Sequence, residues 1–190
     1  MNRWKVAFFI LIIAIVLGIG YLASLLTTES ESYTLPVRAE APAGGQLFVE
    51  TSKNDFEVLA NKYLQQAIND QSIPLDLKVD DQIALISELQ VFSLTIPVQM
   101  YFEPIVQDDG NIQLKQQQVD IGQLSIPPEQ VLKLLRDSVD LPAWMVVSPA
   151  DESVFIDLSG IPIEGGFDIR ARKLDLINDE IILTVTVPTE

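Results

Sequence analysis

Apolar residues along this chain come first as one unbroken run, then at helical spacing, then at every second position. The run is Ala7 to Leu26, twenty residues without a charge. At ~1.5 Å rise per residue, such a helix spans roughly 30 Å, the thickness of a bilayer's hydrocarbon core. From residue 27 to 46 no period holds. Thr-Glu-Ser-Glu-Ser, Pro36, Pro42 and Gly44-Gly45 read as a flexible tether, because such a composition buries too little apolar surface to offset chain entropy. Helical spacing then sets in. Phe56, Leu59, Tyr63 and Leu64 fall on one face, Asn54 with Glu57 fits a capping box, and Pro74 bars continuation, which predicts a helix within 54–71.

The period changes to two after Pro74. Ile73, Leu75, Leu77 and Val79 alternate with polar residues or proline, and Ile83 to Val91 follows a short acidic turn, with Ser87 interrupting one apolar face. The clearest alternation is Phe92, Leu94, Ile96, Val98, Met100 and Phe102, which predicts a long half-buried strand. Pro97 cannot donate to a ladder and marks an edge position or a bulge. Asp108-Asp109-Gly110-Asn111 predicts a solvated hairpin turn into a strand over 112–122, with a bulge near Gln116-Gln117 where the apolar phase slips. Pro127-Pro128-Glu129 opens a second helix with Val131, Leu134, Leu135 and Val139 on one side. Leu141 to Trp144 ends it, with Trp144 and Met145 expected to plug the end of the core. Strands over 154–159, 167–176 and 181–187 complete the chain. Neighbouring strands joined by hairpins make an antiparallel sheet, so the expected class is α+β.

Charge gives the apolar run a direction. Arg3 and Lys5 precede it and Glu29 and Glu31 follow it, so the positive-inside rule places the N-terminus in the cytoplasm and the rest outside the cell membrane. The competing reading is a cleaved signal. Its apolar region would be shorter, at ~7–15 residues, and would end in a small-x-small site, whereas Tyr21-Leu22-Ala23 has a bulky residue where a small one is needed. The expected organisation is a cytoplasmic N-terminus and single-pass anchor over 1–26, a stalk over 27–46 and one extracellular α+β domain over 47–190.

Residues 27–190 hold all 27 acidic residues and only 10 of the 12 basic ones, a net charge of −17. This opposes nucleic-acid binding, which needs Lys and Arg against phosphates, and it disfavours a flat electrostatic dock on anionic lipid. The chain has no histidine and no cysteine. A Ser-His-Asp triad, a Cys-His pair, a zinc site of thiolates or imidazoles and any disulfide are thereby excluded. The Asp108–Asn111 stretch lacks the alternate acidic positions and closing glutamate of a calcium loop. No catalytic residue, metal ligand or cofactor is expected, and the chain reads as a non-enzyme.

Four segments together resemble the YpmS family of Gram-positive bacterial membrane proteins. They are Asn2–Lys5 leading into Ala7-Phe8-Phe9, Val91–Ile96 continuing to Phe102-Glu103-Pro104, Gly122–Pro127, and Leu158–Pro162 with Lys173–Leu176 after it. The resemblance implies a single-pass membrane protein and carries over no catalytic residue and no assigned activity. The order of elements is also similar to tubular lipid-binding folds, in which a long twisted sheet wraps a helix around an apolar groove.

Two functions follow as expectations. In the first, Phe56, Leu59 and Tyr63 of the helix face Leu94, Ile96, Val98, Met100 and Phe102 of the long strand across an acyl-chain groove at the outer face of the membrane. In the second, the domain is a non-catalytic adaptor for another envelope protein such as a lipase. A closed core built from the same residues is the plain alternative to the groove.

Overall fold

The computed structural model describes residues 44–68, 74–91, 94–121 and 127–188, with backbone only at 89–91, 94 and 138. The run Ala7–Leu26 and most of the stalk lie outside the described residues. Among those described, no helix is long and apolar enough to cross a membrane.

The first element is a strand, β1 (Gly44–Thr51), which begins inside the stretch read as a tether. Helix α1 (Lys53–Ala67) follows at once. Its cap is Ser52, not Asn54: the Ser52 hydroxyl accepts from the Asp55 amide at 3.2 Å and donates to the Asp55 carboxylate at 2.9 Å. Glu57, expected to complete a capping box, instead accepts from the Val79 amide at 2.7 Å. Four strands then form the body of a sheet: β2 (Leu75–Val79), β3 (Ile83–Val91), β4 (Leu94–Val106) and β5 (Ile112–Asp120). Helix α2 (Pro128–Ser138) starts behind Pro127 as the prolines predict. Strands β6 (Met145–Ser148), β7 (Ser153–Ile156), β8 (Asp168–Asp175) and β9 (Glu180–Pro188) follow, with a 3-10 turn at Leu158–Gly160.

The strands divide into two antiparallel sheets, a curled six-stranded one ordered β2-β3-β4-β5-β7-β6 and a three-stranded one ordered β1-β9-β8. The period-two reading and the α+β class hold. So does the bulge: Tyr101 faces Gln118 and Phe102 faces Gln116, so Gln117 is the extra residue in β5. The prolines of β4 have a common explanation. β3 covers β4 only up to Phe102 and β5 covers it only from Gln99, so each end of this strand has one neighbour. Pro97 lies in one overhang and Pro104 in the other, where a missing donor leaves no ladder bond unmade.

The hairpin at 108–111 is more than a solvated turn. Gly110 is buried with φ +86, and a Cβ there would come within 2.6 Å of the Arg170 Cβ. Its carbonyl accepts from the Ala171 amide at 2.8 Å, and the Asp109 carbonyl accepts from the Arg170 guanidinium at 2.9 Å. Asn111 also accepts from the Leu158 amide at 3.0 Å. The turn thus joins the tip of the large sheet to the small one. On α2 the buried face is Val131, Leu132 and Leu135, with Leu132 fully enclosed and Leu134, expected inside, exposed. The two readings share Val131, Leu135 and Val139 and differ only in which leucine goes inside, because Leu132 and Leu134 are both apolar and only packing chooses between them.

An apolar cavity at the open end of the core

The position of α1 is set by polar contacts at the sheet edge. β2 is an edge strand whose outward amides and carbonyls need partners. Asn61 donates to the Leu77 carbonyl at 2.7 Å and accepts from the Leu77 amide at 2.8 Å, while Glu57 takes the Val79 amide. At its N-terminus the helix is held by Asp179, which accepts from the Lys53 amide at 2.7 Å. These contacts aim the apolar face of α1 at the β2–β3 side of the large sheet and at the small sheet, not along the middle of β4.

The space so enclosed is an apolar cavity of about 180 Å³. Phe56, Leu59, Ala60 and Tyr63 of α1 form one wall, and Leu77, Ile83, Leu85 and Phe102 of the large sheet form another. Ile169 and Leu183 close it from the small sheet, and Trp144, Leu158, Ile161 and Ile163 from the connections after α2. Leu59 is 49 % exposed while lining the cavity, so it stands at an opening. Trp144 and Met145 line the same space, and Trp144 is buried at its end, as expected of a residue that plugs the core.

Of the eight residues expected to form a groove, the structure brings Phe56, Leu59, Tyr63 and Phe102 together around the cavity. Val98 and Met100 are 2 % and 1 % exposed and belong to the filled core without lining it. Ile96 is half-buried against that core. The side chain of Leu94 lies outside the described residues. The expected groove along the whole strand is therefore a cavity at one end of it, because α1 is anchored beside β2.

Beyond Trp144 and Met145, the lining residues of the later connections, such as Ile161 and Ile163, escaped the sequence reading. The one signal for them was Ile161-Pro162-Ile163, two large apolar residues inside a glycine- and proline-rich connection, which a solvated loop does not require.

The site offers little for covalent chemistry. Among the described residues no cluster of three acidic side chains could hold a metal ion. Among the described residues, the ionisable groups with displaced pKa values lie on the exposed β8–β9 hairpin. Hydrogen bonds from the Asn178 side chain and amide hold the Asp175 carboxyl below the usual aspartate range. A hydrogen bond to Glu180 raises the Lys173 ammonium above the usual lysine range, opposed by desolvation and assisted by the nearby charges of Glu180 and Asp175. On the core face of the large sheet, Ser87 and Gln116 have buried polar atoms without a hydrogen-bond partner among the described residues. Neither lines the cavity.

The chain matches the family model of uncharacterized proteins conserved in bacteria, DUF2140, over residues 2–187. It is also 31 % identical over 182 residues, 95 % of each chain, to the uncharacterized protein YpmS of Bacillus subtilis (strain 168). No solved structure matches.

Proposed function

We propose a function for this chain, which belongs to the DUF2140 family, from its cavity: the domain binds an acyl chain of a lipid at the outer face of the cell membrane and performs no catalysis. The observation that carries this reading is a cavity of about 180 Å³ lined by aliphatic and aromatic side chains and the thioether of Met145. Apolar cavities of comparable size stay dry and take up apolar molecules, an engineered cavity of about 150 Å³ accepting benzene. This volume suits the end of one acyl chain and not a whole diacyl lipid. The apolar run Ala7–Leu26 and the charges around it support a membrane anchor with the domain outside. The domain's net charge of −17 supports recognition of the chain and not of an anionic headgroup. The resemblance to tubular lipid-binding folds belongs to the same proposal.

The test is photolabelling of the full chain in vesicles with a diazirine fatty acid, followed by peptide mapping. Adducts are expected on the peptides carrying Phe56–Tyr63 and Ile161–Ile163. Ala60→Trp, which fills the cavity from α1, should remove them. Label spread evenly over exposed apolar residues, and indifferent to Ala60→Trp, overturns the reading and leaves the adaptor role as its replacement.

A further inference from the structure

The face of the small sheet that lines the cavity continues beyond it. Directly opposed residues of antiparallel strands carry their side chains on the same face. Val49 is opposite the cavity-lining Leu183, and Leu47 is opposite Val185, whose other neighbour is the cavity-lining Ile169. The face therefore runs out onto β1, where Leu47 is 58 % and Val49 40 % exposed. Helix α1 adds Val58 and Leu59, both exposed, the second at the cavity itself. β1 is an edge strand whose one charged residue is Glu50, and it has no proline, lysine or bulge of the kind that protects edges.

We propose that Leu47, Val49, Val58 and Leu59 form a membrane-docking lip, whose occupant is the interfacial layer of a lipid bilayer. The inference rests on the acyl-chain reading of the cavity and extends it to the route of loading. A chain that passes from bilayer to cavity must avoid water, and an apolar strip leading from the surface to the cavity provides that path. Two further observations favour a bilayer. Residues 27–43 separate the apolar run from β1, a reach of at most roughly 60 Å. β1 and α1 are thus the elements that the tether keeps at highest local concentration near the membrane. One cation also stands beside the strip in a domain that is otherwise strongly acidic. The exposed Lys62 follows Val58 and Leu59 by one helical turn, whereas the Arg172 guanidinium, 5.0 Å over the Phe48 ring, belongs to the opposite face of β1. Basic groups beside apolar ones are what interfacial binding to phosphate headgroups uses. Of the nearby acidic groups, Asp55 is engaged by Ser52 in the helix cap.

The chain has no cysteine, so single-cysteine variants can be labelled without background. Full-length Val58→Cys and Gln118→Cys, the latter exposed on β5, would carry an environment-sensitive fluorophore in phosphatidylcholine–phosphatidylglycerol vesicles containing spin-labelled lipid. The Val58 probe should emit to the blue and be quenched severalfold more than the Gln118 probe. Adding Leu47→Glu and Leu59→Glu, both at exposed positions, should abolish the difference. Equal quenching at the two sites overturns the proposal. Shielding of Val58 that tracks protein density and ignores the quencher lipid also overturns it, in favour of a second copy on the strip. Cavity photolabelling with no preferential quenching would sink the lip and spare the acyl-chain reading. Preferential quenching without cavity photolabel would do the reverse.

Discussion

The two ends of the core are built from one apolar stripe and finish differently. Around Val98 and Met100 the side chains are enclosed, while around Phe102 the same face of β4 looks into a cavity. Composition does not distinguish these ends, since both are aliphatic and aromatic. What lies opposite does. At the open end stands α1, held by Asn61 and Glu57 to the edge of β2 and by Asp179 to the β8–β9 turn. A helix fixed by polar bonds at a sheet edge cannot slide inward to fill the space beneath it. The cavity is therefore a consequence of hydrogen bonding at the rim, and not of missing apolar volume.

The largest contrast should come from equally drastic substitutions at the two ends. Val98→Asp places an unpaired charge in the enclosed half and should cost more than about 4 kcal/mol, enough to prevent folding in many single domains. Ala60→Trp, entering a space that already exists, should change stability by less than about 1.5 kcal/mol. Urea denaturation of the full chain measures both. Similar losses at the two positions would mean that the cavity closes in solution. This contrast also excludes Val98 as a site for blocking a ligand, because a larger residue there would overpack the filled core.

A middle-sized effect should come from the rim. Asn61→Ala leaves the Leu77 amide and carbonyl without their partner and should cost about 1–3 kcal/mol. The same variant should alter fatty-acid photolabelling, because it releases the wall of the cavity. Leu134→Ala, at an exposed position of α2 far from these contacts in the chain, should stay within about 0.5 kcal/mol and leave the label unchanged. A label unaffected by Asn61→Ala would separate the cavity from the rim bonds.

The smallest effect is electrostatic and belongs to the exposed β8–β9 hairpin. Asp175 has its carboxyl pKa lowered in the folded state, chiefly by the Asn178 side chain. Its contribution is present above the ordinary aspartate pKa and lost as pH falls through the lower folded value, below about pH 4. Lys173 is raised, chiefly by its hydrogen bond to Glu180, so its contribution is complete at neutral pH and lost above about pH 10.5. Asp175→Asn should therefore lower the melting temperature slightly at pH 6, with the difference from the parent closing on acidification. A difference that grows toward acid pH would contradict the assignment.

Much of the fold was legible in the residues themselves. The switch from helical to alternating period located both helices and most strands. The tetrapeptide 108–111 marked its hairpin, and the phase slip at Gln116-Gln117 marked the bulge. These features are local, and backbone geometry with side-chain alternation suffices to write them into a short segment. β1 was not legible. Leu47-Phe48-Val49 has no alternation because the strand is an exposed edge, and it exists through pairing with β9 at the far end of the chain. The cap at Ser52 was missed because Asn54 offers an equally plausible local motif. On α2 the inward Val131, Leu135 and Val139 were read correctly, and only Leu132 was missed, because Leu132 and Leu134 are equally apolar.

The sequence by itself determined the charge of the domain, the absence of imidazole and thiol chemistry, the apolar run suited to a bilayer, and the α+β alternation. All of these depend on residue type and spacing along a few turns or strands of chain. Tertiary structure alone decided that the strands divide into two sheets, that Glu57 and Asn61 serve β2 instead of their own helix, and that Phe102 faces a cavity while Met100 does not. Those outcomes depend on partners distant in sequence, and hydrophobicity is non-directional: it selects which residues go inside without saying where they meet. The directional bonds of a few polar side chains made that choice.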